Sequence, residues 1–259
     1  MIRLNNKFYN LLIIFFYFAL LLLILERYCC YQDGIYWPSQ YNNPNYIFLC
    51  KDLALDLWGE NKLVENFQSL FLFLSLIYYY LIIKKLNLKN KHISIFFIIS
   101  FLGIFYFLGE EISWGQHIFK WSSSEYFLIH NNQQETNIHN ISNLFNELPR
   151  TFVLIWCTFS TIIFLYYSKS SKLNKIFQLL IFPNKYLLVI AISLIIFIFP
   201  DLILGKFNLE IKYQRITFNF LRLSELQELI VTVYFFVYSS SIYSELNKNK
   251  ASWNKLLKK

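Results

Sequence analysis

Residues 93–117 read ISIFFIISFLGIFYFLGEEISWGQH, and this stretch decides the class of fold. Its first sixteen residues carry no charge, and about 20 apolar residues in an α-helix cross the hydrocarbon core of a bilayer. Two neighbouring glutamates, Glu110 and Glu111, follow at the expected membrane boundary. Paired carboxylates at that depth are costly and are seldom kept without a partner. The stretch therefore predicts a transmembrane helix that ends in a polar functional segment.

The composition agrees with a membrane protein. Of the 259 residues, 56% are hydrophobic and 15% are charged, whereas soluble domains average about 45–50% apolar and about 25% charged. Six apolar runs predict an all-α polytopic bundle with six transmembrane helices in a single domain, 1–259. The predicted spans are 8–25, 67–83, 93–113, 151–167, 186–204 and 226–243, and the predicted outer loops are 26–66, 119–149 and 205–222.

The first and last spans have weaker signals than the others. The first follows Arg3 and Lys7, as a signal peptide would, but no small-residue cleavage site follows it, so a retained span is favoured. The last span is the weakest because Glu225 and Glu228 stand at its start. Both spans are needed for the six-span count.

Charge asymmetry orients the predicted bundle. With the amino terminus in the cytoplasm, the cytoplasmic segments hold 15 of the 24 basic residues and only Glu245 of the 16 acidic residues. Both termini are therefore expected in the cytoplasm. The net charge of +8 is a topology signal in this distribution, so no nucleic-acid partner is expected, and the basic tail is expected to contact anionic lipid.

Four cysteines bear on the redox state of the chain. Cys29, Cys30 and Cys50 fall in the first outer loop, and Cys157 falls within the fourth span. In an oxidising compartment Cys50 could pair with Cys29 or Cys30, and free thiols in an apolar setting are the alternative. No Cys-x-x-Cys motif occurs, so a zinc–thiolate site is not expected.

Carboxylates from two predicted spans converge on the outer side. Glu110 and Glu111 end the third span, and Glu225 and Glu228 open the sixth. The i, i+3 spacing of the second pair puts both carboxylates on one helical face, and i, i+4 spacing puts Trp114 on the face of Glu110. For any one acid, a helix cap or a salt bridge to an outer-loop arginine is the simpler role.

The second outer loop adds amide and imidazole groups. Residues 130–140 read HNNQQETNIHN. In a helix, Glu135 and His139 would be i, i+4 neighbours that can hold one divalent metal, a loose match to the Glu-x-x-His recipe of di-metal carboxylate bundles. We expect this loop to fold back over the end of the bundle, because four carboxylates at one depth repel each other and need donors or cations. A solvated loop is the alternative.

Three blocks together resemble a family of uncharacterised bacterial multi-pass membrane proteins. The blocks are Gly109-Glu110-Glu111-Ile112-Ser113-Trp114-Gly115-Gln116, Asn132-x-Gln134-Glu135-x-Asn137-x-His139-Asn140 and Ser224-Glu225-Leu226-Gln227-Glu228. The resemblance covers about residues 60–235. It implies no known reaction, but it implies that the three blocks belong together, and a bacterial inner membrane is the expected location.

Two classes of function remain, because the chain has no Walker A, dinucleotide, His-Glu-x-x-His or Gly-x-Ser-x-Gly motif. The first is a metal-dependent membrane enzyme acting on a lipid or polyprenyl substrate, in which a divalent ion activates water or polarises an oxygen. The second is a cation- or proton-coupled carrier or an accessory subunit of a membrane complex. A carrier is expected to place acids near mid-membrane, where four of the spans lack them. No other cofactor is expected, and the expected partners are the bilayer and a lipid-like substrate.

The enzyme hypothesis assigns a role to each residue of the three blocks. The expected catalytic residues are Glu110, Glu111 and Glu228. The expected substrate-binding residues are Trp114, Gln116, Asn132, Gln134, Asn137 and Asn140. The expected metal ligands are Glu110, Glu111, Glu135, His139, Glu225 and Glu228.

Overall fold

The structure is a computed structural model, and its described residues fold almost entirely into helices. The structure describes residues 6–32, 35–36, 62–86, 91–131, 134–138, 141–167, 180–181, 183–206 and 223–248. Predictions about the rest of loops 26–66 and 205–222 lie outside these residues, as does the pairing of Cys50 with Cys29 or Cys30. Cys157 is described, and it is a buried free thiol.

Seven helices of six or more residues, numbered in chain order, make up most of the described architecture, and a 3-10 turn (Ser113–Gly115) and a four-residue helix (Gln116–Phe119) follow the third of them. They are α1 (Asn6–Cys30), α2 (Leu63–Leu86), α3 (Lys91–Glu111), α4 (Glu125–His130), α5 (Asn143–Tyr167), α6 (Tyr186–Lys206) and α7 (Leu223–Lys248). Two-residue strands, β1 (Tyr31–Gln32) and β2 (Ile35–Tyr36), pair antiparallel directly after α1. The predicted helical class is confirmed, and the strand pair is a small local addition to it.

Four of these helices are long and apolar enough to cross a membrane. They are α1 over Asn6–Leu25, α2, α3 and α7 from Glu225 onward. The apolar stretches described in α5 and α6, Thr151–Tyr166 and Tyr186–Phe197, are shorter. Large apolar side chains such as Ile14 and Ile99 are more than half exposed on the bundle exterior. The architecture is therefore compatible with an integral membrane protein.

Helix α7 lies at the centre of the bundle. In the 18-residue apolar stretch of this helix 83% of the residues are buried, against 17–39% in the corresponding stretches of the other three candidate spans. It packs mainly against α2 and α6, while α2 also contacts α3, and α6 also contacts α5 and α1. The run that hydropathy ranks weakest is thus the most enclosed helix.

The residues of α7 explain why a less apolar helix takes this position. Its buried run Ser239-Ser240-Ser241 has small side chains, which let neighbouring helices approach closely. The Ser239 hydroxyl donates to the Phe235 carbonyl at 2.9 Å, so its polar group is satisfied within the helix. Polar side chains in a span are less costly when they face protein than when they face lipid.

Side-chain hydrogen bonds tie the other helices to α7. Gln68 Nε2 of α2 donates to the Glu225 carbonyl at 3.1 Å, and Gln227 Nε2 of α7 donates to the Phe197 carbonyl of α6 at 3.1 Å. The Tyr9 hydroxyl of α1 donates to a serine hydroxyl of α7 at 3.2 Å. Such bonds between transmembrane helices contribute about 0.6 kcal/mol on average. Together they fix the register of α7 against three neighbours.

Candidate functional site

The chain makes a strained turn where α3 ends. Helix α3 stops at Glu111, and three successive residues then have positive φ: Ser113 at 45°, Trp114 at 54° and Gly115 at 98°. A left-handed backbone costs a residue with a Cβ atom about 1–2 kcal/mol. Glycine adopts it without that cost, and the Gly115 N–H completes the turn by donating to the Ile112 carbonyl at 2.8 Å. Backbone strain of this kind clusters at functional sites.

This turn folds Trp114 back over the end of α3. The indole Nε1–H donates to Glu110 Oε1 at 2.8 Å. A Cβ atom on Gly109 would lie 2.8 Å from the indole ring, so the ring can occupy this place only because residue 109 is glycine. The sequence predicted that Trp114 continues the helical face of Glu110. That prediction is wrong, because the helix ends at Glu111, and the left-handed turn makes the contact instead.

The loop between α3 and α5 anchors the second oxygen of Glu110. This side chain is only 2% exposed. Its Oε2 atom accepts a hydrogen bond from the backbone N–H of Ile138 at 2.6 Å. The loop therefore folds back over the end of α3, and the group that it brings to Glu110 is the backbone N–H of Ile138, where the sequence predicted Glu135 or His139. N–H donors on both oxygens stabilise an ionised carboxylate that is removed from water.

A second buried carboxylate, Glu135, lies in the same loop. Its Oε2 atom accepts from the Ser113 hydroxyl at 2.6 Å and from Asn137 Nδ2 at 2.9 Å. Asn137 Nδ2 also lies 3.1 Å from Ser113 Oγ, and Asn131 Nδ2 donates to the Asn137 carbonyl at 2.8 Å. All four side chains are buried. Glu135 thus joins the strained turn to the loop that covers it.

Gln116 makes a third connection between the turn and the loop. Its Oε1 atom accepts from the Thr136 N–H at 2.7 Å, and its Nε2 donates to Ser123 Oγ at 2.9 Å. The Ser123 hydroxyl donates to the Gln134 carbonyl at 2.6 Å. We call this assembly the polar cap. Its members are Glu110, Ser113, Trp114, Gln116, Ser123, Asn131, Gln134, Glu135, Thr136 and Asn137.

The polar cap contains part of the predicted site. The predicted residues that it brings together are Glu110, Trp114, Gln116, Gln134, Glu135 and Asn137. Asn132, His139 and Asn140 lie outside the described residues. Residues 134–138 are not helical, so the helix that was expected to contain Glu135 is absent from these residues.

The other predicted acids lie at helix ends. Glu111 ends α3, and Glu225 and Glu228 open α7; all three are half-buried. Among the residues that the structure describes, no three His, Cys, Asp or Glu side chains are grouped so that they could hold a metal ion. In the described part of the cap, hydrogen-bond donors therefore occupy positions around the carboxylates where cations were expected.

Several residues important to this geometry were missed by sequence reasoning. Ser113 and Asn131 stand beside predicted site residues, but nothing in their spacing distinguishes them from ordinary loop residues. Ser123 lies in a serine run that reads as a solvated loop. Gln68 had a usable signal, since it is the one amide inside the second predicted span, 67–83. A lone amide in such a span predicts a contact with another helix.

Aromatic side chains lie near the end of α3, where the polar cap begins. The Phe119 and Trp121 rings stack with centroids 5.8 Å apart, and Trp114 packs edge-on against Phe105 and Tyr106 at 6.1 Å. The Phe119 side chain is 73% exposed. Exposed aromatic rings next to buried polar groups are typical of the membrane–water interface.

The cap combines two buried carboxylates with amide and hydroxyl groups at a strained turn. Carboxylates in this setting can transfer protons or provide oxygen ligands for hard cations. The amides can donate to the oxygens of a phosphate or an ester. No protein-family model, curated protein or solved structure matches this chain.

Proposed function

We propose that the chain is a six-span protein of the bacterial inner membrane, with both termini in the cytoplasm and the polar cap outside. The distribution of 15 basic residues and one acidic residue over the cytoplasmic segments supports this orientation. The apolar stretches of α5 and α6, Thr151–Tyr166 and Tyr186–Phe197, are proposed as the remaining two spans, each lying within a longer helix of 25 or 21 residues.

The function that we propose is that of a membrane enzyme acting on the polar head of a lipid or polyprenyl substrate. One observation carries it: the buried carboxylate of Glu110 lies at the end of an apolar helix, against a turn with three left-handed residues. A carboxylate there is costly, and the strained turn adds to the cost. A helix that only needs to end does so with a single glycine. The combination is typical of a site selected for chemistry.

The proposed roles follow the chemistry of the side chains. Glu110, Glu111 and Glu228 would carry out the reaction, and a divalent ion held by carboxylates and His139 would polarise a phosphoryl or acyl oxygen. Oxygen-rich ligand sets of this kind suit Mg²⁺ or Mn²⁺. Both oxygens of Glu110 already accept N–H donors. Each carboxylate oxygen has a second lone pair, so Glu110 could bind an ion while it keeps both donors.

A second candidate function is that of an accessory subunit in which the polar cap is structural. The observation in its favour is the hydrogen bonding of the two buried carboxylates. Glu110 accepts from Trp114 and Ile138, and Glu135 accepts from Ser113 and Asn137. A network satisfied in this way rigidifies a fold without any ligand. The two candidates differ in whether Glu110 is needed for turnover.

Turnover by the purified protein in nanodiscs tests the enzyme proposal. A polyprenyl phosphate and a phospholipid would be supplied with Mg²⁺ or Mn²⁺, and products would be identified by mass spectrometry. Glu110→Gln is expected to lower the rate at least about 100-fold, the lower end of general acid–base contributions. Glu125→Gln removes an exposed acid from the same loop and should keep the wild-type rate.

The two outcomes separate the candidates. Turnover that is equal in the wild type and in Glu110→Gln would refute chemistry at the polar cap. No turnover of either substrate class by correctly folded wild-type protein would favour the accessory subunit.

A further inference from the structure

An apolar cavity of about 440 Å³ lies between α2, α3, α5 and α7. Its volume falls in the range of about 300–1,000 Å³ that is typical of small-molecule sites. Aromatic side chains dominate its wall, including Tyr79 of α2, Phe96 of α3, Trp156 of α5 and Tyr234 of α7. Three of its four walls are helices long and apolar enough to cross a membrane. The cavity therefore lies at the depth of lipid chains.

The cavity opens sideways, towards the surrounding membrane. Gly103 of α3 and Phe152 of α5 both line it, and both are exposed. A Cβ atom on Gly103 would have no heavy atom within 4 Å, so there is open space directly in front of this residue. An apolar opening between two helices at this depth admits a lipid chain without its passage through water.

One end of the cavity lies directly below the polar cap. Tyr106 and Phe107 line the cavity, and Glu110 follows them on the same helix. The rise of about 1.5 Å per residue puts Glu110 roughly 4.5 Å beyond Phe107 along α3. From Phe96 to Phe107 the lining follows α3 for about 16 Å by the same rise. A molecule that fills this cavity lengthwise thus brings one end to within one helical turn of Glu110.

We propose that this cavity binds the apolar chain of a membrane lipid, acyl or isoprenoid, whose polar end then lies at the polar cap. The proposal rests on the proposed function in one respect, since the bound molecule is the substrate whose head group reacts at the cap. The elongated apolar lining, the lateral opening and the position of Glu110 at one end all match an amphipathic single molecule. A wholly polar ligand would leave the aromatic lining uncovered.

Photocrosslinking in nanodiscs tests the binding of the chain directly. The probes are a phosphatidylglycerol with a diazirine in one acyl chain and a polyprenyl phosphate with a diazirine in its chain. Labelled peptides are mapped by mass spectrometry. We expect labelling of the α3 and α7 segments that line the cavity. The probe that labels them identifies the chain as acyl or isoprenoid.

A cavity-filling substitution with a matched control makes the test specific. Gly103→Phe places a ring in the open space, and it should reduce labelling of the cavity peptides at least about fivefold, as loss of most apolar contacts predicts. Leu102→Phe adds a ring on the same helix at a position that is 57% exposed and turned about 100° from Gly103 around the helix, and it should leave labelling unchanged. Gly103→Leu is the milder variant should the phenylalanine impair folding.

The labelling experiment tests the chain site and the turnover experiment tests the enzyme proposal, so either proposal can fail without the other. Labelling that is equal in the wild type, Gly103→Phe and Gly103→Leu would overturn the cavity as the chain site, even if the protein turns over lipid. Cavity labelling that is lost in the Gly103 variants, without turnover in the wild type, would support the chain site and overturn the enzyme proposal alone.

Discussion

Replacement of Glu110 by glutamine tests whether this carboxylate holds the loop over the end of α3. The carboxylate accepts from Trp114 Nε1 at 2.8 Å and from the Ile138 N–H at 2.6 Å. Glutamine keeps one carbonyl oxygen and turns an NH₂ group towards the other donor, so one N–H loses its acceptor. A hydrogen bond to a charged group contributes about 1.5–3 kcal/mol, and a buried unpaired donor costs about 1–3 kcal/mol. We therefore expect the docked loop to lose about 2–4 kcal/mol.

Amide hydrogen exchange measures this loss at the residue concerned. Exchange through local opening accelerates tenfold for about every 1.4 kcal/mol, so the Ile138 amide should exchange roughly 30- to 1,000-fold faster in Glu110→Gln. Glu125→Gln, an exposed change in the same loop, should leave the Ile138 amide as in the wild type. An acceleration of less than about threefold would refute the reasoning, because the hydrogen bond would then not limit opening.

Three further predictions follow from the fold and from the proposed chemistry. Gly103→Ala should raise the free energy of unfolding by about 1 kcal/mol through helix propensity, whereas Gly109→Ala should lower it by about 1–3 kcal/mol because its methyl group meets the Trp114 ring. SDS titration measures both changes, and a change of the same sign in the two variants would contradict the packing. Reporter fusions test the topology, and an external carboxyl terminus would overturn the six-span proposal. Cytoplasmic signals are expected after Lys89, Ser171 and Lys259, and external signals near Asn43 and Asn132. If an ion is bound, the purified protein should carry near-stoichiometric divalent metal, and the Glu110→Gln/Glu228→Gln double variant should lose it. A chelator should then lower the melting temperature of the wild type. A metal-free wild type whose melting temperature does not change with chelator would contradict the metal site.

The helical class was predictable because it depends on the length of apolar runs alone. The runs 8–25, 67–83 and 226–243 each fall within a described helix that is long and apolar enough to cross a membrane, and 93–113 overlaps the fourth such helix until that helix ends at Glu111. The central position of α7 was not predictable from hydropathy. A hydropathy scale measures transfer from water to lipid, whereas a central helix is transferred into contact with other helices. The serine run of α7 lowers its hydropathy, but in contact with other helices the same small side chains improve the packing.

The polar cap was predictable in its membership more than in its geometry. Glu110, Glu135 and Gln116 stood out because buried polar groups near a membrane need partners. The contacts themselves depend on a left-handed backbone at Ser113 and Trp114, which local propensity disfavours. Regular helix spacing was therefore a poor guide beyond Glu111. Donors from the loop backbone, such as the Ile138 N–H, carry no side-chain signal at all.

The position of α7 in the chain gives the order of assembly during synthesis. Gln68 of α2 donates to the Glu225 carbonyl, a partner that is made 157 residues later. At about 5–20 residues per second, α2 is made roughly 8–30 s before α7. During that interval the buried amide of Gln68 must bind water, another polar group or a helper protein at the site of insertion. Without α7, the main contacts divide the earlier helices into two groups, α2 with α3 and α6 with α1 and α5, so the arrival of α7 joins these groups into one bundle.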